Sequence, residues 1–280
     1  MKKKTQKIKG KSKLKSQHKL FLGAFIGMLA VMLLSIFYYK FDSNLLTRLS
    51  FYVNLANPSM KIVRVQEGLR KEEIAEILVK KFGWTDIEKN DFIHAHVSLN
   101  TQDLEGRYFP KTYMMNKDIN PQQASESMFQ EFIKQTDKIK ISESQEIMNE
   151  DTVLKIASLI QREAAGKSDM RLISGIIWNR IFDGMRLQID ATLQYAKGSE
   201  ENGWWGRVKS EDKKIDSEYN TYKIEGLPPG AIANPGIEAI KAAYNPQETD
   251  CVFYLHDRKR RIHCTKTYDE HKANIEKYYR

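Results

Sequence analysis

The stretch "DTVLKIASLIQREAAGK", residues 151–167, sets the frame for the rest of the chain. On a 3.6-residue period Ile156, Leu159, Ile160 and Glu163 fall on one face, because helix neighbours lie three and four apart. The pattern predicts a helix over 151–165, with Asp151 or Thr152 as its N-cap. It also carries an anomaly. A carboxylate on an apolar stripe is costly to bury unless it is paired or protonated. One solution is bland: Lys167, one turn on, pairs with Glu163 at the surface. The other is chemical: a desolvated carboxyl keeps its proton near neutrality and serves as a general acid.

Working outward, "DMRLISGIIWNRIFDG" (169–184) predicts a second helix, with Leu172, Ile173, Ile176, Ile177 and Ile181 as its stripe and Gly184 as its stop. "MRLQIDATLQYA" (185–196) begins extended and sets Asp190 beside Gln188 and Thr192. "EYNTYKIEGLPPGAIANPG" (218–236) is a long loop, stiffened by three prolines, that carries Asn220 and Tyr222. "IEAIKAAYNP" is a short helix, "CVFYLHDRKRRIHCTK" (251–266) a hairpin with a charged tip, and "TYDEHKANIEKYYR" a closing helix. Upstream, 61–68 alternates as a strand, 70–83 is an amphipathic helix ended by Gly83, and "TDIEKNDFIHAHV" is another helix. "LEGRYFPKTYMM" (104–115) reads as a rigid aromatic loop around Gly106 and Pro110. A helix over 121–135 and a polar link over 136–150 complete the series. Helices and strands mix without regular alternation, so the fold class is α+β.

The formal charge of +9 suggests a nucleic-acid partner only until its location is noted. Nine of the 45 basic residues are lysines within residues 1–19, which hold no acid. The remaining 36 balance the 36 acidic residues, so no nucleic-acid surface is indicated. "LFLGAFIGMLAVMLLSIFYY" (20–39) follows, uncharged and mostly apolar over twenty residues, the length of one bilayer crossing. Tyr38 and Tyr39 mark its far interface. No small-residue cleavage site is clear, so the segment reads as an uncleaved anchor contacting membrane lipid. The basic tail then stays in the cytoplasm, and residues from 41 onward lie outside it. That compartment permits a Cys251–Cys264 disulfide across the hairpin, but the spacing leaves the pairing open.

The chain lacks a zinc-protease helix, a phosphate-binding glycine loop and a serine nucleophile elbow. His94 and His96 are two apart, and His256, His263 and His271 cluster near the hairpin. None has metal-site spacing, so neither metal nor cofactor is expected. Carboxylates remain. The stiff loop, with amide and aromatic neighbours, suits the wall of a sugar groove. Each such residue also has a structural reading: Asn220 as a turn former, Asp190 as a cap.

"ASLIQREA", "GMRLQIDATLQYA", "YNTYKIEGLPPGAIANPG" and "LEGRYFPKTY", in this order behind one N-terminal anchor, closely resemble the endolytic murein transglycosylase, or YceG-like, family. The resemblance covers roughly 60–280. It implies a basic cytoplasmic tail (1–19), a transmembrane helix (20–39), a connector (40–60), a small LysM-like module (61–100) and a mixed α+β catalytic domain (101–280). It further implies a single-pass protein of the bacterial cytoplasmic membrane with its catalytic domain outside. Such an enzyme cuts the β-1,4 bond between N-acetylmuramic acid and N-acetylglucosamine in nascent peptidoglycan strands. It adds no water and leaves 1,6-anhydro ends, so that it limits strand length beside the cell-wall synthases. The family's catalytic segment usually reads Glu-Lys/Arg-Glu. Here Gln161 replaces the first acid, and Glu163, the acid on the apolar stripe, becomes the general acid/base. Gln188, Asp190, Thr192, Asn220 and Tyr222 are the expected sugar contacts, with Asp190 aiding charge stabilisation. Ile189 stands where a small or hydroxylated residue is expected. Two rivals remain: a hydrolase that leaves reducing ends, and a non-catalytic peptidoglycan-binding scaffold of the synthases.

Overall fold

The computed structural model describes residues 25, 27–33, 57–95, 103–139 and 149–279. Of the expected membrane span, Phe25 and residues 27–33 are described, and they are helical. Phe25, Met28, Leu29, Val31, Met32 and Leu33 are all exposed. No helix among the described residues is long and apolar enough to cross a membrane. The basic tail and the remainder of 20–39 lie outside the described residues.

Residues Ser59–Arg280 form one compact unit. Strand β1 (Met60–Arg64) is followed by α1 (Lys71–Phe82), α2 (Asp86–Ile93), β2 (Thr112–Asn116), α3 (Pro121–Thr136), α4 (Glu150–Glu163), α5 (Met170–Phe182) and α6 (Asp190–Lys197). A short 3-10 turn (Ser210–Lys214) leads to α7 (Ile237–Tyr244), the hairpin β3 (Phe253–His256) and β4 (Ile262–Thr265), and α8 (Tyr268–Tyr279). Among the described residues helices dominate, with two separate two-stranded antiparallel sheets, so the class is α+β as expected.

The N-terminal unit differs from expectation in one place. The second half of the supposed aromatic loop is strand β2, which pairs with β1 from Met60↔Asn116 to Arg64↔Thr112. Tyr113 and Met115 face inward and are buried, while Thr112 is exposed. Pro110 and the aromatic cluster hide this period of two. The βααβ unit therefore runs past residue 100 to residue 116. Its helices begin and end on local signals. Thr85 accepts from Glu88 N while the Glu88 carboxylate accepts from Thr85 N at 2.8 Å. Gly83, left-handed at φ 78°, closes α1 by donating to Val79 O.

One continuous core runs from Val63 to Tyr244. In α4, Ile156, Leu159 and Ile160 are fully buried, each contributing about 1.5–3 kcal/mol by burial. Helix α4 begins two residues before the expected cap, because Asn149 accepts from Asp151 N at 2.9 Å and thereby satisfies a free amide.

Two segments distant in sequence meet at Asn234. Its Oδ1 accepts from Tyr108 N at 2.7 Å, and its Nδ2 donates to Leu69 O at 3.0 Å and Glu105 Oε1 at 2.9 Å. Glu105 is 5% exposed and also accepts from Lys71 N and Gly106 N. Burial pushes its carboxyl up to about 8, and the Glu72 charge adds to the rise. Gly106 is required beside it: φ is 85°, and a Cβ there would lie 2.7 Å from the Ala231 Cβ.

Candidate active site

The last turn of α4 presents three successive side chains about 100° apart, and each meets a different neighbour. Gln161 Oε1 accepts from Gly236 N at 3.0 Å. The Arg162 guanidinium donates to Gly68 O at 3.2 Å and lies 3.6 Å from the centre of the Trp205 ring. Glu163 Oε2 accepts from the Tyr254 hydroxyl at 2.7 Å. The surface pair with Lys167 is therefore not what satisfies Glu163.

Tyr254 comes from the hairpin, 91 residues away. The hairpin is fastened to α4 at a second point. His256 Nε2 lies 2.7 Å from Asp169 Oδ2, and Asp169 also accepts from Ala165 N and Gly166 N, just beyond the end of α4. Arg260 closes a third contact onto Ala165 O. At the hairpin tip Asp257 accepts from Arg261 N and Lys259 N and from the Arg261 and His263 side chains, which hold its carboxyl well below the usual range. Cys251 and Cys264 form a disulfide, Cα–Cα 5.7 Å, across the base of the same hairpin.

Glu163 lines a cavity of about 470 Å³ together with Asp190, Gln188, Tyr222, Tyr254 and Arg180. The glutamate is half-buried on the cavity lining, and desolvation by the surrounding protein is the main influence on its acidity. Burial raises the Glu163 pKa, and the Asp190 charge raises it further. The Tyr254 hydroxyl, the His256 ring and the Ala191 amide oppose the rise. The result is a carboxyl that holds a proton more tightly than an exposed glutamate, with donors in place to receive its charged form. That is the profile of a general acid/base.

The expected sugar contacts separate into two groups. Asp190, exposed, is the first residue of α6, not part of an extended segment, and accepts from the Tyr222 hydroxyl at 2.6 Å. Burial of the Tyr222 phenol and its bond to Asp190 push the phenol pKa upward. Gln188 sits on the cavity wall with φ 53°, a conformation uncommon for a residue with a Cβ. Its backbone N–H donates to Thr221 O at 3.0 Å.

Thr192 and Asn220 form the second group. Both are fully buried and neither lines the cavity. Thr192 Oγ1 donates to Ile189 O at 2.7 Å and shares a bond with Thr221 Oγ1. Asn220 Nδ2 donates to Lys213 O and Ile215 O, and its Oδ1 accepts from Tyr222 N. Buried backbone groups beside a tight turn need partners, and short polar side chains supply them first. In this structure the two side chains tie backbone segments together.

The sequence reading does not single out Tyr254, His256 or Arg180 as site residues. For Tyr254 and His256 the available signal is the hairpin itself, a small cysteine-flanked element rich in aromatic and basic residues, while Arg180 lies within α5 and has no local signal.

A family model described as "YceG-like family" matches residues 31–277. A Bacillus subtilis protein named endolytic murein transglycosylase is 36% identical over 75% of this chain and 56% of its own length. A Streptococcus pneumoniae protein of the same name is 28% identical over 61% of this chain and 32% of its own length. The chain thus spans about half, or less, of the curated relatives it matches. A solved structure of a yceG-like protein from Listeria monocytogenes aligns with TM-score 0.65 at 26% identity, covering 78% of this chain and 76% of that one.

Proposed function

The chain belongs to the YceG-like family, and from that footing we propose that it is a membrane-anchored endolytic lytic transglycosylase with Glu163 as its general acid/base. The observation that carries the proposal is the Glu163 carboxyl: raised in pKa, on a cavity wall, and bonded to Tyr254. The relatives named endolytic murein transglycosylase support the substrate class, peptidoglycan.

The geometry suits a reaction with one carboxyl group. Protonated Glu163 gives its proton to the glycosidic oxygen as the bond from the muramic anomeric carbon to that oxygen breaks. The Tyr254 hydroxyl and the Ala191 amide stabilise the carboxylate that forms. Asp190, held by Tyr222, supplies negative charge near the oxocarbenium-like centre. The muramic C6 hydroxyl then bonds to the anomeric carbon and returns its proton to Glu163. The ring closes as the 1,6-anhydro product, and the enzyme is restored. A two-carboxylate hydrolase instead needs a second acid placed to attack or to activate water, and here Asp190 is engaged by Tyr222.

The basic residues before 20 and the apolar run of 20–39 support a single-pass anchor with the enzyme outside the cytoplasm. The βααβ order of Met60–Asn116 supports reading the segment from 61 as a LysM-like glycan-holding module, although its second strand lies beyond residue 100 and it shares the core of the remainder. Action on nascent strands beside the synthases, ending their growth, is part of the same proposal.

The test uses the full-length protein in detergent on uncrosslinked glycan strands, with products read by mass spectrometry, beside Glu163→Gln. Anhydro-ended fragments that disappear in the variant are expected. Hydrated reducing ends would make the protein a hydrolase, and strand binding without cleavage would make it a scaffold.

A further inference from the structure

Arg180 is the unusual cation of the cavity. Its Nε donates to Val252 O at 2.6 Å, and its Nη1 donates to Leu187 O at 2.6 Å and Arg186 O at 3.2 Å. The Phe253 ring centre lies 5.3 Å from the guanidinium. Arg70, Arg107 and Arg261 pair with carboxylates, those of Glu72, Glu150 and Asp257, whereas Arg180, like Arg162, is held by carbonyl and ring partners. Among the described residues no carboxylate forms an ion pair with Arg180. The titratable groups that bear on it are the Tyr254 and Tyr222 phenols, and burial favours the neutral form of both. A half-buried guanidinium without a counter-ion is costly. Carbonyls fix its plane and occupy two of its nitrogens, leaving the Nη2 edge for another acceptor.

A second cation lies on the same cavity lining. Lys213 is exposed, and its ammonium is 4.6 Å from the Tyr222 ring centre with no carboxylate partner among the described residues. The cavity lining therefore carries two acids, Glu163 and Asp190, and two cations, Arg180 and Lys213, that form no ion pair among the described residues. Sugar hydroxyls are satisfied by neutral donors. A full positive charge in a groove matches a full negative one.

We infer that Arg180 and Lys213 form a subsite for a carboxylate of the muropeptide substrate, an inference that rests on the transglycosylase reading above. Two groups offer that chemistry: the lactyl carboxylate of a denuded muramic residue and the carboxylates of a stem peptide. The subsite binds the anion by charge-assisted hydrogen bonds and takes no part in proton transfer.

The test is calorimetric binding to full-length Glu163→Gln in detergent, which removes turnover. Denuded strands and stem-bearing strands are each used in native and carboxyl-amidated form. At least one pair should show about a tenfold or greater loss on amidation, and the pair that does identifies the source of the carboxylate. Adding Lys213→Gln or Arg180→Lys should remove that discrimination. Arg180 also holds two chain segments through their carbonyls, so Lys213→Gln, at an exposed position, decides the matter if Arg180→Lys does not fold. Equal affinity for native and amidated strands in both pairs would overturn the subsite, as would discrimination that survives both substitutions. If wild-type protein cleaves no strand while the discrimination persists, the subsite stands and the enzymatic reading falls. If it cleaves without discrimination, the subsite alone falls.

Discussion

Replacing Glu105 by Gln should change how stability depends on pH. In the unfolded chain this carboxyl titrates near its ordinary value of 4.5, and in the folded protein near 8. Below about pH 4.5 it is neutral in both states, and the folded state is not penalised. Between 4.5 and 8 the unfolded state releases its proton and the folded state retains it, so stability falls as pH rises. The slope is about 1.4 kcal/mol per pH unit, or about 4–5 kcal/mol across the interval. Above 8 both states are ionised and the loss levels off. Total stabilities are only about 5–15 kcal/mol, so an effect of this size is measurable. Urea unfolding of wild type and Glu105→Gln at pH 5, 6.5 and 8 isolates it, because titrations common to both proteins cancel in the difference. The glutamine places an amide donor among Lys71 N, Gly106 N and Asn234 Nδ2, at a cost of about 1–3 kcal/mol that does not vary with pH. The expected signature is therefore the slope: wild type loses stability towards pH 8 relative to the variant. Parallel curves from pH 5 to 8 would show that Glu105 ionises freely, and the argument from burial would fail.

Tyr254→Phe removes a hydroxyl that lowers the Glu163 pKa and receives its charged form. Turnover should drop about ten- to a hundredfold, and the alkaline limb of the pH–rate profile should move upward; an unchanged rate and limb would exclude the contact from the reaction. Replacing both Cys251 and Cys264 by Ser releases a thirteen-residue separation across the hairpin. A loss of about 2–4 kcal/mol in stability is expected. Activity should fall further than helix content, since the hairpin carries both Tyr254 and His256, and circular dichroism beside turnover would expose a purely global effect.

The elements of the fold were largely legible because they are local. The stripe of α4, the stop at Gly83 and the two arms of the hairpin are each written in a few neighbouring residues. What escaped was written in none. Strand β2 depends on β1, almost fifty residues earlier, for its pairing, and Pro110 masks its alternation. Helix α6 starts behind Ile189, which offers no side-chain cap, so nothing local marks Asp190 as its first residue. Within the site, periodicity singled out Glu163 because an acid on an apolar stripe is conspicuous. Its partner Tyr254 could not be found that way, since a tyrosine in a hairpin is unremarkable until the chain folds. Thr192 and Asn220 show the opposite case. Polar residues beside a functional loop resemble ligand contacts in sequence, but these two satisfy backbone groups inside the wall.

Helix ends ordinarily fray, and a general acid on a terminal residue would inherit that play. The final turn of α4 is instead located like a shaft in three bearings: Gly236 against Gln161, Gly68 and Trp205 against Arg162, and Tyr254 against Glu163. Three contacts at roughly 100° intervals leave the turn no free rotation about its own axis. At the first bearing the requirement is for an oxygen that can accept from Gly236 N, and a glutamine amide meets it as well as a carboxylate. In this chain Gln161 supplies that oxygen and so fixes the orientation of the turn that carries Glu163.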